Sequence, residues 1–120
     1  MITEFKIYIM KIDIQSLHFT ARQELIEFIE QKVGRLERLS NELIGSDVIL
    51  KVENTDTKEN KVAEIRVMVP GNDLWAESKG KSFEEAVLEC VEIIERQIRK
   101  NKTKILAQRK ETDELKNIYG

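Results

Sequence analysis

The segment 47–80, DVILKVENTDTKENKVAEIRVMVPGNDLWAESKG, decides the fold. It reads as three strands separated by two turns. DVILKVEN (47–54) and KVAEIRVMVP (61–70) are rich in Val and Ile, and the second alternates apolar with polar residues, the pattern of half-buried strands. The intervening TDTKEN (55–60) is polar, so the two strands are expected to pair antiparallel. PGND (70–73) gathers residues that favour turns, and LWAESKG (74–80) follows as a third strand. Its Trp75 alternates with Glu77 and Lys79, as a core or a sheet-face residue.

Working outward, the segments on both sides supply the rest of the domain. Upstream, KIDIQSLHF (11–19) alternates Ile12, Ile14 and Leu17 with polar residues and reads as another strand. Thr20 is expected to N-cap a helix, with Gln23 at the capping-box position. In ARQELIEFIEQKVGRLERLSNEL (21–43), Leu25, Ile29, Val33, Leu36 and Leu43 fall on one side at helical spacing. Ser40-Asn41 or Gly45-Ser46 ends this helix. Gly34 inside it costs about 1 kcal/mol relative to Ala, which suggests close packing there. Downstream, Ser82 is expected to cap a second helix, with Glu85 at the box position. Phe83, Val87, Cys90, Ile94 and Ile98 then recur every three or four residues and face a core. This helix should run past Lys100 and as far as Lys116, with a frayed end. The order β-α-β-β-β-α predicts an α+β fold with two helices packed on one face of a four-stranded mixed sheet. The first helix makes strands one and two parallel if they are neighbours, by a right-handed crossover.

A chain of 120 residues, 41% apolar and 35% charged, suits one soluble domain with a core that needs no disulfide or metal. The domain is expected over 10–104. Residues 1–9 read either as an N-terminal extension or as a native first strand, and 105–120 as a C-terminal tail or helix extension. Cys90 is the single cysteine, which excludes an intramolecular disulfide and is compatible with the cytoplasm. No apolar run approaches the ~20 residues that span a bilayer. MITEFKIYIM, interrupted by Glu4 and Lys6, does not read as a signal peptide.

The formal net charge is only -2, yet the charge is segregated. RQIRKNKTKILAQRK (96–110) holds seven basic residues and no acidic one, whereas residues 1–95 carry 12 Lys and Arg against 19 Asp and Glu. Both helices are acidic early and basic late. Glu24 and Glu27 precede Arg35 and Arg38 on the first, with Lys32 at the edge of its apolar stripe. Glu85, Glu89 and Glu92 precede Arg96, Arg99 and Lys100 on the second. A helix macrodipole favours this order within the terminal turns, and Glu92–Arg96 and Glu95–Arg99 are i,i+4 pairs. Neither effect asks for seven cations in fifteen residues. If the helices lie side by side, the two clusters form one patch suited to nucleic-acid phosphates. With seven aromatics in the chain, most of them at core positions, base stacking is not favoured and recognition through backbone and shape is expected.

Other chemistry is thinly represented. His18 has no ligand or catalytic constellation around it in the sequence, and Cys90 falls on an apolar helix face. SKGKS (78–82) fails the phosphate-loop pattern, because Trp75 stands where the earlier glycine is required. Lys79 and Lys81, just before a helix, remain possible additional phosphate contacts. No enzyme, metal, cofactor or small-molecule substrate is expected.

MKIDIQSLHFT (10–20), KVGRLERL (32–39), AESKGKSFEEAV (76–87) and above all IIERQIRKNKTK (93–104), in that order, resemble the ribosome hibernation promoting factor family. The family is also described as ribosome-associated inhibitors or sigma-54 modulation proteins. The resemblance implies a β-α-β-β-β-α domain similar in appearance to double-stranded-RNA-binding domains. It implies a site on the small ribosomal subunit, in the channel of mRNA and tRNA, where the domain blocks translation in stressed or stationary cells. It also implies rRNA contacts by Lys32, Arg35, Arg38, Arg96, Arg99, Lys100, Lys102 and Lys104. Since only ILAQRKETDELKNIYG follows Lys104, the chain resembles a short form of the family. The rival readings are a general double-stranded-RNA-binding module and a protein-interaction module using its basic tail.

Overall fold

The computed structural model describes the backbone of residues 10–119 and the side chains of residues 10–101. Its elements are β1 (Lys11–Ser16), α1 (Gln23–Gly34), a 3-10 helix (Arg35–Leu39), β2 (Gly45–Val52), β3 (Lys61–Met68), β4 (Leu74–Gly80) and α2 (Phe83–Tyr119). The α+β order and the mixed four-stranded sheet are as the sequence predicts. The expected extension 1–9 lies outside the described residues.

The strands lie side by side in chain order. β1 pairs with β2 in parallel, and β2–β3 and β3–β4 pair antiparallel. Register follows from pleating, since successive side chains alternate faces. Val48, Ile65 and Ala76 stand across from one another, as do Leu50, Ala63 and Ser78. This face, continued by Ile12 and Ile14 on β1, meets the helices. Ile29 and Val33 from α1, Leu36 from the 3-10 helix, and Val87, Cys90, Val91, Ile94 and Ile98 from α2 complete one core. Each fully buried aliphatic side chain here is worth about 1.5–3 kcal/mol of transfer free energy. Ser46 is buried in the same face, and its hydroxyl donates to the Arg66 carbonyl at 3.0 Å, so the burial leaves no lone polar group. The Cys90 thiol donates to the Ala63 carbonyl at 3.2 Å. Burial, with smaller contributions from Glu89, Glu77 and Glu64, pushes that thiol up to about 12. It is therefore a packed, unreactive side chain.

Local sequence explains most boundaries. The Glu85 N–H donates to Ser82 Oγ at 3.1 Å, the expected cap of α2. Gly71 takes φ 99° directly after Pro70, a backbone shape that glycine adopts freely in a turn. Two expectations fail. Thr20 does not cap α1; Arg22 occupies that position in extended conformation, without a side-chain cap. Chain geometry upstream accounts for the shift. Ser16 Oγ donates to the Phe19 carbonyl at 2.8 Å and His18 turns to φ 65°. Phe19 is thereby set against Phe83, with ring centroids 5.0 Å apart. Residues 20–22 are then used up in reaching the start of the helix. The second failure is Gly34, which is not a point of close packing: a Cβ there would meet nothing within 4 Å. It ends α1 in ordinary helical conformation, where the coil tightens to 3-10 and stops at Ser40. Leu43 consequently reaches the core from a loop rather than from the helix.

The tight glycine is Gly80, where a Cβ would lie 3.1 Å from the Ala86 nitrogen and 3.1 Å from Glu85 Cβ. The two glycines should therefore respond with opposite signs. Gly34→Ala is expected to raise unfolding free energy by about 0.5–1 kcal/mol, by removing helix-interior glycine entropy. Gly80→Ala is expected to lower it by about 1–3 kcal/mol, by overpacking. Urea denaturation of the two variants beside the parent measures both.

Candidate nucleic-acid interface

Strand directions fix where the basic residues gather. β1, β2 and β4 point one way and β3 the other. α1 connects two parallel neighbours, so it must run back against them. α2 runs back against β4: its first turn lies beneath Gly80 at the end of that strand, and Gln97 reaches Trp75 near its start. The helices are thus parallel to each other, and their basic halves lie at the same end of the sheet. Two contacts mark that end. The Met10 N–H, just before β1, donates to Glu37 Oε1 in the 3-10 helix at 2.8 Å. The Gln97 side chain grips Trp75 twice, accepting from its N–H at 3.3 Å and donating to its carbonyl at 3.0 Å. The 3-10 helix also packs directly against α2.

The structure brings Arg35, Arg38, Arg96, Arg99 and Lys100 to this end, all of them exposed. Lys32 is half-buried, its ammonium 5.5 Å from the Phe28 ring centroid, a cation–π distance. Among the described residues, Arg35, Arg38, Arg96 and Lys100 pair with no carboxylate. Of the two expected i,i+4 pairs only Glu95–Arg99 forms, at 3.8 Å. An exposed pair of this kind is worth a few tenths of a kcal/mol. Glu37 stands between Arg35 and Arg38 in sequence but turns to the Met10 amide, and burial pushes its carboxyl up. The macrodipole explains Arg35 and Arg38, which sit at the end of a helix. It does not explain Arg96, Arg99 or Lys100, because α2 continues to Tyr119, about 30 Å of helical rise beyond Lys100, and the dipole effect falls off within the last turn. The side chains of Lys102 and Lys104 lie outside the described residues, on backbone that is still α2.

Lys79 and Lys81 are not part of this cluster. Both stand at the opposite end of the sheet, where β4 stops and α2 starts. Lys79 projects from the sheet face away from the helices and bonds Glu53 at 2.8 Å. That contact, first by hydrogen bond and then by charge, holds its ammonium above the usual lysine range. Lys81 is exposed in the turn. His18 is exposed as well.

The sheet face away from the helices carries mixed charge, with Lys11–Asp13, Lys51–Glu77 and Lys79–Glu53 in contact. Sequence reasoning underrated one residue on it. Trp75 lies on this face and is 48% exposed. The signal was its alternation with Glu77 and Lys79, which puts the indole on the same side as two charges.

Comparison with known proteins agrees with this architecture. Residues 12–106 match the family described as Sigma 54 modulation protein / S30EA ribosomal protein. A Ribosome hibernation promotion factor from Deinococcus radiodurans is 33% identical over 71% of this chain and 45% of its own length. A Ribosome hibernation promoting factor from Pseudomonas putida is 25% identical over 79% of this chain and 89% of its own length. The chain therefore spans about half of the first relative and most of the second. A ribosomal subunit interface protein from Coxiella burnetii shares the fold, with TM-score 0.69 and 21% identity, over 78% of this chain and 99% of that one. Among the described residues, no helix is long and apolar enough to cross a membrane.

The Gln97 clasp is a polar contact that, beside the buried Ile94 and Ile98, holds the basic segment of α2 against the sheet edge. Gln97→Ala should speed hydrogen exchange of the Trp75 amide by about tenfold and lower global stability by about 1 kcal/mol. Exchange mass spectrometry and denaturant melts read the two effects separately.

Proposed function

Because the chain belongs to the Sigma 54 modulation protein / S30EA ribosomal protein family, we propose that it is a non-enzymatic ribosome hibernation factor of the cytoplasm. It binds rRNA of the small subunit in the channel used by mRNA and tRNA, and it blocks translation by occupying that space under stress or in stationary phase. The observation that carries this reading is the cation cluster where the basic segments of both helices lie at one end of the sheet, four of whose members pair with no carboxylate among the described residues. Unpaired guanidinium and ammonium groups on two parallel rods suit phosphates spaced along a folded RNA. Lys32, Arg35, Arg38, Arg96, Arg99, Lys100, Lys102 and Lys104 are the proposed contacts. Lys79 is a weaker candidate, since Glu53 already holds it, and Lys81 stands apart from the cluster.

Inhibition in this mechanism is steric. A domain anchored by several phosphate contacts excludes mRNA and tRNA by volume alone, with no bond made or broken. Each contact releases counterions, so affinity falls with a log–log salt slope of about -0.7 to -0.9 per phosphate neutralised. A general duplex-binding module would hold free double-stranded RNA as tightly as ribosomes. A protein-interaction module would be indifferent to nuclease.

Reversing charge at Arg35→Glu, Arg96→Glu and Lys100→Glu together is expected to abolish co-sedimentation with small subunits and to leave the thermal melt unchanged, since all three side chains are exposed. Undiminished co-sedimentation of the folded triple variant contradicts the mechanism. Sucrose gradients of stationary-phase cells, probed for this chain, show whether it travels with single or paired ribosomes.

A further inference from the structure

We infer that Trp75 is a base-stacking residue at the border of the basic cluster, where it takes an unpaired base of the RNA whose phosphates contact α2. The inference rests on the RNA-binding reading above and adds to it a contact that phosphates alone do not supply.

Three observations carry it. Trp75 is 48% exposed, on the edge strand and on the sheet face away from α1 and α2. Its own backbone is gripped at both N–H and carbonyl by Gln97, the residue next to Arg96 and less than one turn from Lys100. The backbone that carries the ring is therefore tied to the turn of α2 that bears Arg96 and Lys100, while the ring itself stands on the other face of the edge strand. Finally, the residue directly across on β3 is Arg66, exposed and on the same face. A flat aromatic surface beside a guanidinium offers both a stacking platform and a positive charge, the combination that binds single-stranded nucleic acid. The indole N–H makes no hydrogen bond within the described chain, so it remains available to a ligand acceptor.

A purely structural role is the competing explanation, because an aromatic on a strand also packs against its cross-strand neighbour. Two conservative substitutions separate the roles. Trp75→Phe keeps a ring, and Trp75→Leu keeps apolar bulk without one. Each is titrated against purified small ribosomal subunits at several salt concentrations beside the parent, with thermal melts of all three. Stacking predicts that Trp75→Leu binds roughly tenfold more weakly with the parent's salt slope, since no phosphate contact is lost. Trp75→Phe should retain most of the affinity. Parent-like binding by Trp75→Leu overturns the inference. So does a loss accompanied by a shallower slope, which would mean that Trp75 only positions the cations, and so does equal weakness of the two variants. Failure of the parent itself to bind removes the RNA reading and this inference together, and is distinct from every outcome measured relative to a binding parent.

Discussion

The placement of the cations depends on strand direction. One parallel pairing followed by two antiparallel ones leaves β1, β2 and β4 pointing the same way. Each helix then has to return against the strand that precedes it. With both helices on one face, parallel alignment follows, and the acidic starts of both helices lie at one end of the sheet while their basic segments, Arg35–Arg38 and Arg96–Lys100, lie at the other. The result is a helical layer with a negative end and a positive end in a molecule of formal net charge -2. Had the meander contained one strand fewer, the second helix would have run the other way and the two basic segments would lie at opposite ends.

The core keeps that alignment in place. The buried stripe of α2 continues through Ile98, so the turn that carries Arg96 and Lys100 is still seated on the sheet. Gln97 adds a polar attachment from the same turn to the edge strand. Cations held this way are presented by a rigid support rather than by a loop, which lowers the entropy lost when several of them engage phosphates at once. The unused carboxylates matter equally. Glu37 is diverted to a backbone amide and Glu95 pairs with Arg99, so among the described residues neither carboxylate neutralises Arg35, Arg38, Arg96 or Lys100.

Much of this was legible in the sequence. Alternation in 47–80 gives the strands, the stripe from Phe83 to Ile98 gives the seated face of α2, and Ser82 gives its cap. The cation run on the second helix was also legible, because its charge, unbroken by acids, survives any choice of rotamer. What sequence reasoning lost was set by contacts distant in the chain. Thr20 has the right chemistry for a cap, but the turn that sets Phe19 against Phe83 carries the chain on, and the helix starts at Gln23 with Arg22 in the cap position. Gly34 looked like a packing glycine, whereas the close approach occurs at Gly80, where the first turn of α2 crosses the end of β4. Trp75 was ambiguous between the core and the open face because a single residue on an edge strand does not show which face is covered. Lys79 was a candidate phosphate contact in sequence, and its engagement by Glu53 depends on the register of β2, β3 and β4.

The convergence of the two basic helix segments is tested most directly by a cryo-EM reconstruction of this chain bound to the small ribosomal subunit. Convergence predicts rRNA phosphates within salt-bridge distance of Arg35 or Arg38 and also of Arg96 or Lys100, with the acidic starts of both helices turned away from the RNA. A bound pose in which the helix cations stand away from the rRNA, or in which only one of the two helices meets it, contradicts it.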